Sequence, residues 1–256
     1  MKFTILGCGS SMGVPRSDGY FGKCDPKNKK NYRTRCSALI ETKNETVLID
    51  TSPDLRHQLI KNKIKKIDKV FYSHMHADQT HGINDLRVFY IQNKKTIPIF
   101  TDKPTKKYLM STFKYCFVNN NKEYPAILKL NLINNNLKLK DGSNKIRIKP
   151  IKVKHGKVDS ICYIIDKKLA YISDVNEIYK KDYKYFKNLK YLVLDCLWIR
   201  KHPSHLNLEN SLELINKLKP KKAILTNLHS DLDYKYLKKI LPKNVEPAYD
   251  GLTVNL

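Results

Sequence analysis

Ser73-His74-Met75-His76-Ala77-Asp78-Gln79-Thr80-His81 follows directly on the apolar run Val70-Phe71-Tyr72. That run is short, β-branched and aromatic, which predicts a strand with the polar stretch at its end. Residues two apart at the end of an extended segment project to one side, so His74, His76 and Asp78 are expected to converge on one spot. Two imidazoles beside a carboxylate suit Zn²⁺ or Mn²⁺, for which nitrogen and hard oxygen ligands are both acceptable. The bland alternative is a solvated polar loop.

Working outward, short apolar runs bounded by turn chemistry predict further strands at residues 3–6, 37–40, 47–49, 98–100, 128–132, 146–153, 161–165, 169–172, 191–194 and 223–226. Helices are expected over 53–62, 82–92, 104–117, 177–186, 208–218 and 232–241, the first with Ser52 as N-cap and Pro53 at its first position. Two packed sheets flanked by helices would bury these runs, in two halves that each begin with strands. Residues 119–122 and 134–136 read as polar loops, and the hinge between halves is placed between residues 122 and 130. A single domain over residues 1–256 is the simpler reading of this length.

Three more ligand-type residues fall at strand ends. His155 follows the strand through Val153, Asp174 follows Ala170-Tyr171-Ile172-Ser173, and His229 follows the strand at 223–226. Each taken singly reads as a turn or cap residue. Together with the His74 triplet they read as one rim gathering a metal site.

The formal charge of +25 invites a nucleic-acid partner. Of the 49 basic residues only seven are arginines, however, and the lysines are spread along the whole chain. A lysine excess without arginine clusters weakens specific phosphate or base recognition, so nucleic acid is the secondary partner reading. Met1-Lys2-Phe3-Thr4-Ile5-Leu6-Gly7 lacks the features of a secretory signal, and no run approaches the roughly 18 apolar residues of a membrane span. The expectation is a cytoplasmic protein with no membrane association, in which the six cysteines, free of any CxxC pair, are isolated buried thiols.

At this point the chain resembles the metallo-β-lactamase fold family. His74-x-His76-x-Asp78 followed by His155, Asp174 and His229, in that order, look like its ligand series. Gly7-Cys8-Gly9-Ser10-Ser11-Met12-Gly13-Val14-Pro15-Arg16, Leu48-Ile49-Asp50-Thr51-Ser52-Pro53-Asp54-Leu55-Arg56, His81-Gly82-Ile83-Asn84-Asp85-Leu86-Arg87 and Leu225-Thr226-Asn227-Leu228-His229-Ser230-Asp231-Leu232-Asp233-Tyr234 are similar to its PhnP-like branch, near ribonuclease Z. The resemblance implies an α/β fold, the αβ/βα four-layer sandwich of two mixed β-sheets packed face to face with helices outside. It also implies a binuclear hydrolase with two divalent ions, Zn or Mn, cleaving a small cyclic ribosyl phosphate or nucleotide-like phosphodiester with a metal-activated water.

Carried over by position, the resemblance puts His74, His76 and His155 on one metal, Asp78 and His229 on the second, and Asp174 between them. Asp50 becomes the carboxylate that props the His74 loop, and His205, in His202-Pro203-Ser204-His205, the non-ligand histidine that serves the leaving oxygen or the phosphoryl group. Asp78 and His205 are the catalytic candidates. A place near the start of the helix from Leu208 is the structural alternative for His205. Arg16, Arg35 and Arg87 lie beside the motifs and are candidates to grip substrate phosphate, with structural salt bridges as the competing use.

Two departures matter. The residue after the motif aspartate is normally histidine and here is Gln79, so the second ion is held more weakly, is a harder ion such as Mn²⁺, or recruits His81. The cysteine cluster that holds a structural zinc in some PhnP-type enzymes is reduced to Cys24, and no structural zinc is expected. A ribonuclease Z-like nuclease and a weakened or inactive metal-binding homologue are the competing readings. The sequence leaves a homodimer open.

Overall fold

The computed structural model describes residues 1–119, 124–135 and 137–256. One seven-stranded sheet contains β1 (Lys2–Gly7), β2 (Ser37–Glu41), β3 (Thr46–Ile49), β4 (Lys69–Phe71), β5 (Ile97–Thr101) and β6 (Leu128–Leu132) in sequence order, with β14 (Leu252–Asn255) beside β1. The other contains β7 (Leu137–Asp141), β8 (Asn144–His155), β9 (Val158–Ile165), β10 (Leu169–Ile172), β11 (Tyr191–Asp195), β12 (Lys222–Thr226) and β13 (Val245–Pro247). Each sheet is mixed. In the first, β3 to β6 run parallel, and in the second β10 to β13 do.

Side-chain alternation decides the layers. Phe3, Ile5, Ile40, Ile49 and Phe71 of the first sheet meet Ile148, Tyr163, Ile165, Tyr171 and Val193 of the second in a dry layer between them. The opposite face of the first sheet, through Leu6, Leu39, Leu48 and Val70, packs on α1 (Leu55–Lys61), α3 (Arg87–Asn93) and α4 (Lys103–Thr112). The opposite face of the second, through Ile151, Val153, Ile172 and Leu194, packs on α5 (Leu208–Leu218) and α6 (Tyr234–Ile240). Each such buried aliphatic or aromatic side chain contributes about 1.5–3 kcal/mol. The four layers match the architecture that the resemblance implies.

Several elements depart from the sequence reading. The first helix starts at Leu55 with Asp54 as N-cap, because the Ser52 hydroxyl accepts from the Asp54 N–H and turns the chain there instead of capping a helix from residue 53. The expected helix at 82–92 is a 3₁₀ segment, Ile83–Leu86, running into α3, and that at 104–117 divides into α4 and the 3₁₀ turn Lys114–Cys116. Residues 177–186 give only the 3₁₀ helix Lys180–Tyr185, since Asn176 and Glu177 exchange backbone hydrogen bonds with Lys154 of β8. Strands β7, β13 and β14 were not foreseen. Residues 120–122 and 136 of the two expected polar loops lie outside the described residues, as does the start of the expected hinge, whose far end belongs to β6.

Candidate metal centre

The carboxyl ends of β3, β4 and β5 in one sheet and of β10, β11 and β12 in the other open onto a common rim, where open sheets generally present ligand-binding loops. Because β8 is antiparallel to β9 and β9 to β10, β8 also ends there and delivers His155. The loop after β4 is held from both sheets. Asp50 Oδ1 accepts from the Ser73 N–H at 2.7 Å, the Ile161 N–H donates to the Ser73 carbonyl at 2.8 Å, and the Tyr163 hydroxyl donates to the Tyr72 carbonyl at 2.6 Å. Asp50 adopts the left-handed conformation, φ 62°, which an aspartate tolerates better than most residues. Its Oδ2 is buried without a hydrogen-bond partner, and burial raises its carboxyl well above the usual range.

Three imidazoles meet at the end of that loop. His76 Nδ1 lies 2.9 Å from His74 Nε2 and 3.3 Å from His155 Nε2. A tetrahedral ion bound at ~2.0–2.1 Å sets its ligand nitrogens about 3.3 Å apart, so these donors stand close to coordination spacing. The rings are oriented from behind. The His155 Nδ1–H donates to the Ser204 carbonyl at 2.8 Å, which leaves the Nε2 lone pair for the cluster, and His74 Nδ1 contacts Ser73 Oγ at 3.0 Å. Burial pushes His74 down to about 3 and also lowers His76, so both present neutral nitrogens at physiological pH, as a metal requires.

Asp174, two residues beyond β10 and 2% exposed, adjoins the cluster. Asn227 Nδ2 donates to its Oδ1 at 3.3 Å and Gln79 Nε2 to its Oδ2 at 3.4 Å. Burial works to raise this carboxyl, yet the imidazoles of His74, His155 and His205 hold it below the usual carboxylate range. Gln79 is fully buried, and its Oε1 has no partner. An acceptor orphaned beside a carboxylate and imidazoles fits a place for a cation.

Among the described residues, the groups whose donor atoms lie within 4.8 Å of one another are His74, His76 and His155, and His155, Asp174 and His205. Asp78 and His229 enter neither. Asp78 does not extend the strand as the alternation argument supposed, because a single helical turn, α2 (Ala77–Thr80), begins after His76 and carries it. Burial and then the Asp174 charge push Asp78 up to about 6. The His229 ring packs 5.0 Å from Trp198, its Nδ1 accepts from the Asp231 N–H at 3.3 Å, and its carbonyl accepts from the buried guanidinium of Arg33 at 3.4 Å.

His205 is paired with a residue the sequence reading missed. Its Nδ1 lies 2.7 Å from Asp195 Oδ2, which also accepts from the Val175 N–H at 2.9 Å. Asp195 ends β11 and is fully buried. It carries the same strand-end signal, after Leu192-Val193-Leu194, that singled out Asp174. Although burial opposes it, the Asp195 carboxylate pushes His205 up to about 9, and burial lifts Asp195 only to about 6. At neutral pH the pair is an imidazolium beside a carboxylate. The cap of α5 is Asn207, so His205 is free of that structural duty.

The arginines lie elsewhere. Arg16 pairs with Asp18, and Arg35 pairs with Asp54 at 2.7 Å. Arg87 lines a groove between α1 and α3 together with Arg56, Leu59 and Ile60, and no residue of the metal cluster borders it. His81 turns away to the Tyr108 hydroxyl at 2.8 Å. All six cysteines are free and buried, and Cys24 Sγ faces Arg33 Nη1 at 3.9 Å.

Comparison with known proteins agrees with this geometry. A family model described as "Beta-lactamase superfamily domain" matches residues 45–227. A diphosphatase of the PhnP family superposes with a TM-score of 0.87 at 28% identity, over 100% of this chain and 97% of that one. Zn²⁺-bound PqqB from Methylobacterium extorquens shares the fold with a TM-score of 0.73 at 16% identity, over 100% of both chains. In sequence, the chain is 28% identical to an octanoyltransferase of Porphyromonas gingivalis over 98% of its own length and 51% of the relative's. It is 29% identical to ribonuclease Z of Streptococcus gordonii over 36% of its own length and 32% of the relative's. The chain therefore spans about half and about a third of these curated relatives. With most of its length matched to the family model and its sheets superposed on those of a PhnP-family diphosphatase, the chain belongs to the β-lactamase superfamily and has the metallo-β-lactamase fold.

Proposed function

We propose that the chain cleaves a phosphodiester, a small cyclic ribosyl phosphate or nucleotide-like compound, with two divalent cations, Zn²⁺ or Mn²⁺. The observation that carries this reading is the meeting of three imidazole rings with the Asp174 carboxylate beside the charged His205–Asp195 pair. His74, His76 and His155 would hold one cation, Asp78 and His229 the other, and Asp174 both. When bound, such ions polarise phosphoryl oxygens and activate water.

The chain's own residues supply the rest. Asp50 fixes the His74 loop through Ser73, and the Asn227 and Gln79 amides set the angle of Asp174. Asp195 holds the proton on His205 Nδ1, leaving Nε2–H to donate to the leaving oxygen, a contribution of about 10²–10⁴-fold for a positioned imidazole. His205 borders a cleft of about 420 Å³, lined also by His202, Asn176, Tyr183 and Asn210, with room for a leaving group. The PhnP-family diphosphatase supports phosphoryl chemistry along the full chain. The octanoyltransferase relative is about twice as long as this chain, and acyl transfer is not part of this reading. A ribonuclease Z-like activity is the second reading, supported by the sequence relatives and by the charge of +25.

Metal content per chain, measured together with hydrolysis of bis(p-nitrophenyl) phosphate, tests the proposal. Bound metal with turnover is expected, and His205→Ala should retain the metal while losing about 10²–10⁴-fold in rate. Metal-free protein without turnover after reconstitution would refute it. Cleavage of precursor tRNA in preference to small diesters would promote the second reading.

A further inference from the structure

The segment Tyr179-Lys180-Lys181-Asp182-Tyr183-Lys184-Tyr185-Phe186-Lys187 alternates aromatic and basic residues, and of these only Tyr183 borders the His205 cleft. Ile178 and Phe186, 1% and 0% exposed, anchor its ends in the core, whereas the 3₁₀ helix Lys180–Tyr185 between them buries no residue. The segment therefore stands as a fixed ridge with its lysines in solvent and its tyrosine rings half covered.

This ridge joins two concavities. On one side Tyr183 lines the cleft that contains His202 and His205. On the other, Lys184, Tyr185 and Lys187 line a larger groove, of about 830 Å³, opposite Arg147, Lys149 and Lys167. Five cationic side chains thus face one groove, and none of them joins an ion pair among the described residues. The groove's one acid, Asp166, is neutralised by Lys168 at 2.7 Å, and on the ridge Asp182 is the only acid. The ammonium of Lys149 lies 4.2 Å from the Tyr185 ring centroid and that of Lys217 4.3 Å from that of Tyr183. These lysines have flexible stems and can move onto phosphates, leaving ring surface to a base.

Arg147 and His155 occupy the same face of β8, eight residues apart, a span of about 26 Å. Cations tracking a backbone beside sequence-tolerant aromatic platforms are what single-stranded nucleic acid requires, with footprints of roughly 4–16 nucleotides. A lipid surface would call for a flat face with exposed apolar side chains, and this groove is concave and cationic. We infer that the basic groove and the ridge Tyr179–Lys187 form a binding track for single-stranded nucleic acid that leads toward the His205 cleft. The binding does not depend on the hydrolytic reading; only its direction rests on it.

Fluorescence anisotropy of a labelled single-stranded 12-nucleotide RNA with the EDTA-treated full chain tests the track. The triple variant Arg147→Gln/Lys184→Gln/Lys187→Gln is expected to bind at least tenfold more weakly, with a slope of log K against log salt shallower by about 2. The control variant Lys238→Gln/Lys239→Gln/Lys243→Gln removes the same charge from exposed positions on and beyond α6 and should bind like the parent. Tyr183→Ala should weaken binding severalfold without changing the salt slope. Equal losses in both triple variants, no binding by the parent, or equally tight binding of an acidic peptide of matched charge would overturn the inference. Hydrolysis of bis(p-nitrophenyl) phosphate by the groove variant should equal that of the parent. A parent that binds RNA selectively through the groove and hydrolyses nothing would refute the phosphodiesterase reading and leave the track standing.

Discussion

On one side of the candidate metal centre, His76 Nδ1 stands 2.9 Å and 3.3 Å from the nitrogens of His74 and His155, and the rings of those two are braced from behind by Ser73 and Ser204. On the other side, Asp78 rides on a single helical turn, His229 gives its Nδ1 to the Asp231 N–H, and Gln79 leaves its Oε1 unanswered. The first side is preorganised by hydrogen bonds that exist before any ligand arrives. A second ion would have to gather its donors as it binds, and that ordering would subtract from its affinity. Under the proposed two-ion reading, the ions would be held with unequal strength, set by what lies behind the ligands more than by the ligands themselves.

Asp174→Ala is the change with the largest expected effect, because that carboxylate adjoins both sides. It should abolish turnover and reduce bound metal to at most one ion per chain, read by elemental analysis. Retention of two ions would show that the sides are independent. Next comes Asp195→Asn. The carboxylate holds the His205 proton up to about 9, so the rate should fall only as pH rises through that value in the parent. Without the carboxylate, the burial that lowers His205 is opposed only by the Asp174 and Asp78 charges, so the alkaline limb of the pH–rate profile should move down, with roughly a 10–100-fold loss at neutral pH. An unmoved limb would separate His205 from the acid role. The smallest effect is expected of Gln79→His, which should tighten the weaker ion by about tenfold in a chelator competition and leave the tighter one unchanged. Equal tightening of both would erase the distinction between the sides.

The histidine side was the more legible in the sequence, for a physical reason. His74 and His76 are separated by one residue in extended chain, and His155 ends the longest strand, so local periodicity suffices to aim them. Asp78 has the same spacing but follows the onset of a helical turn, which periodicity alone does not locate. Asp195 went unnoticed because a lone aspartate after a strand resembles any turn residue until a histidine ten positions later folds back on it. The fold shows the same division. Long β-branched runs such as β9 announced themselves, whereas β13, three residues with a proline, acquires its identity from pairing with β12. Glu177, the first residue of the expected helix, is instead held by Lys154 across the chain.

The hydrogen bonds from Ile161 to Ser73 and from Tyr163 to Tyr72 cross from one sheet to the other at the rim. The first half of the polypeptide brings His74, His76 and Asp78, and the second brings His155, Asp174 and His229. The proposed ligand set is therefore incomplete in either half alone, and even the cluster of His74, His76 and His155 needs both. An ion captured there would act as a clasp between them, adding about 2.7 kcal/mol to the resistance to unfolding at a free concentration one hundred times its dissociation constant. Chemistry and assembly would then draw on the same few ligands, and scarcity of metal would loosen the molecule as well as silence it.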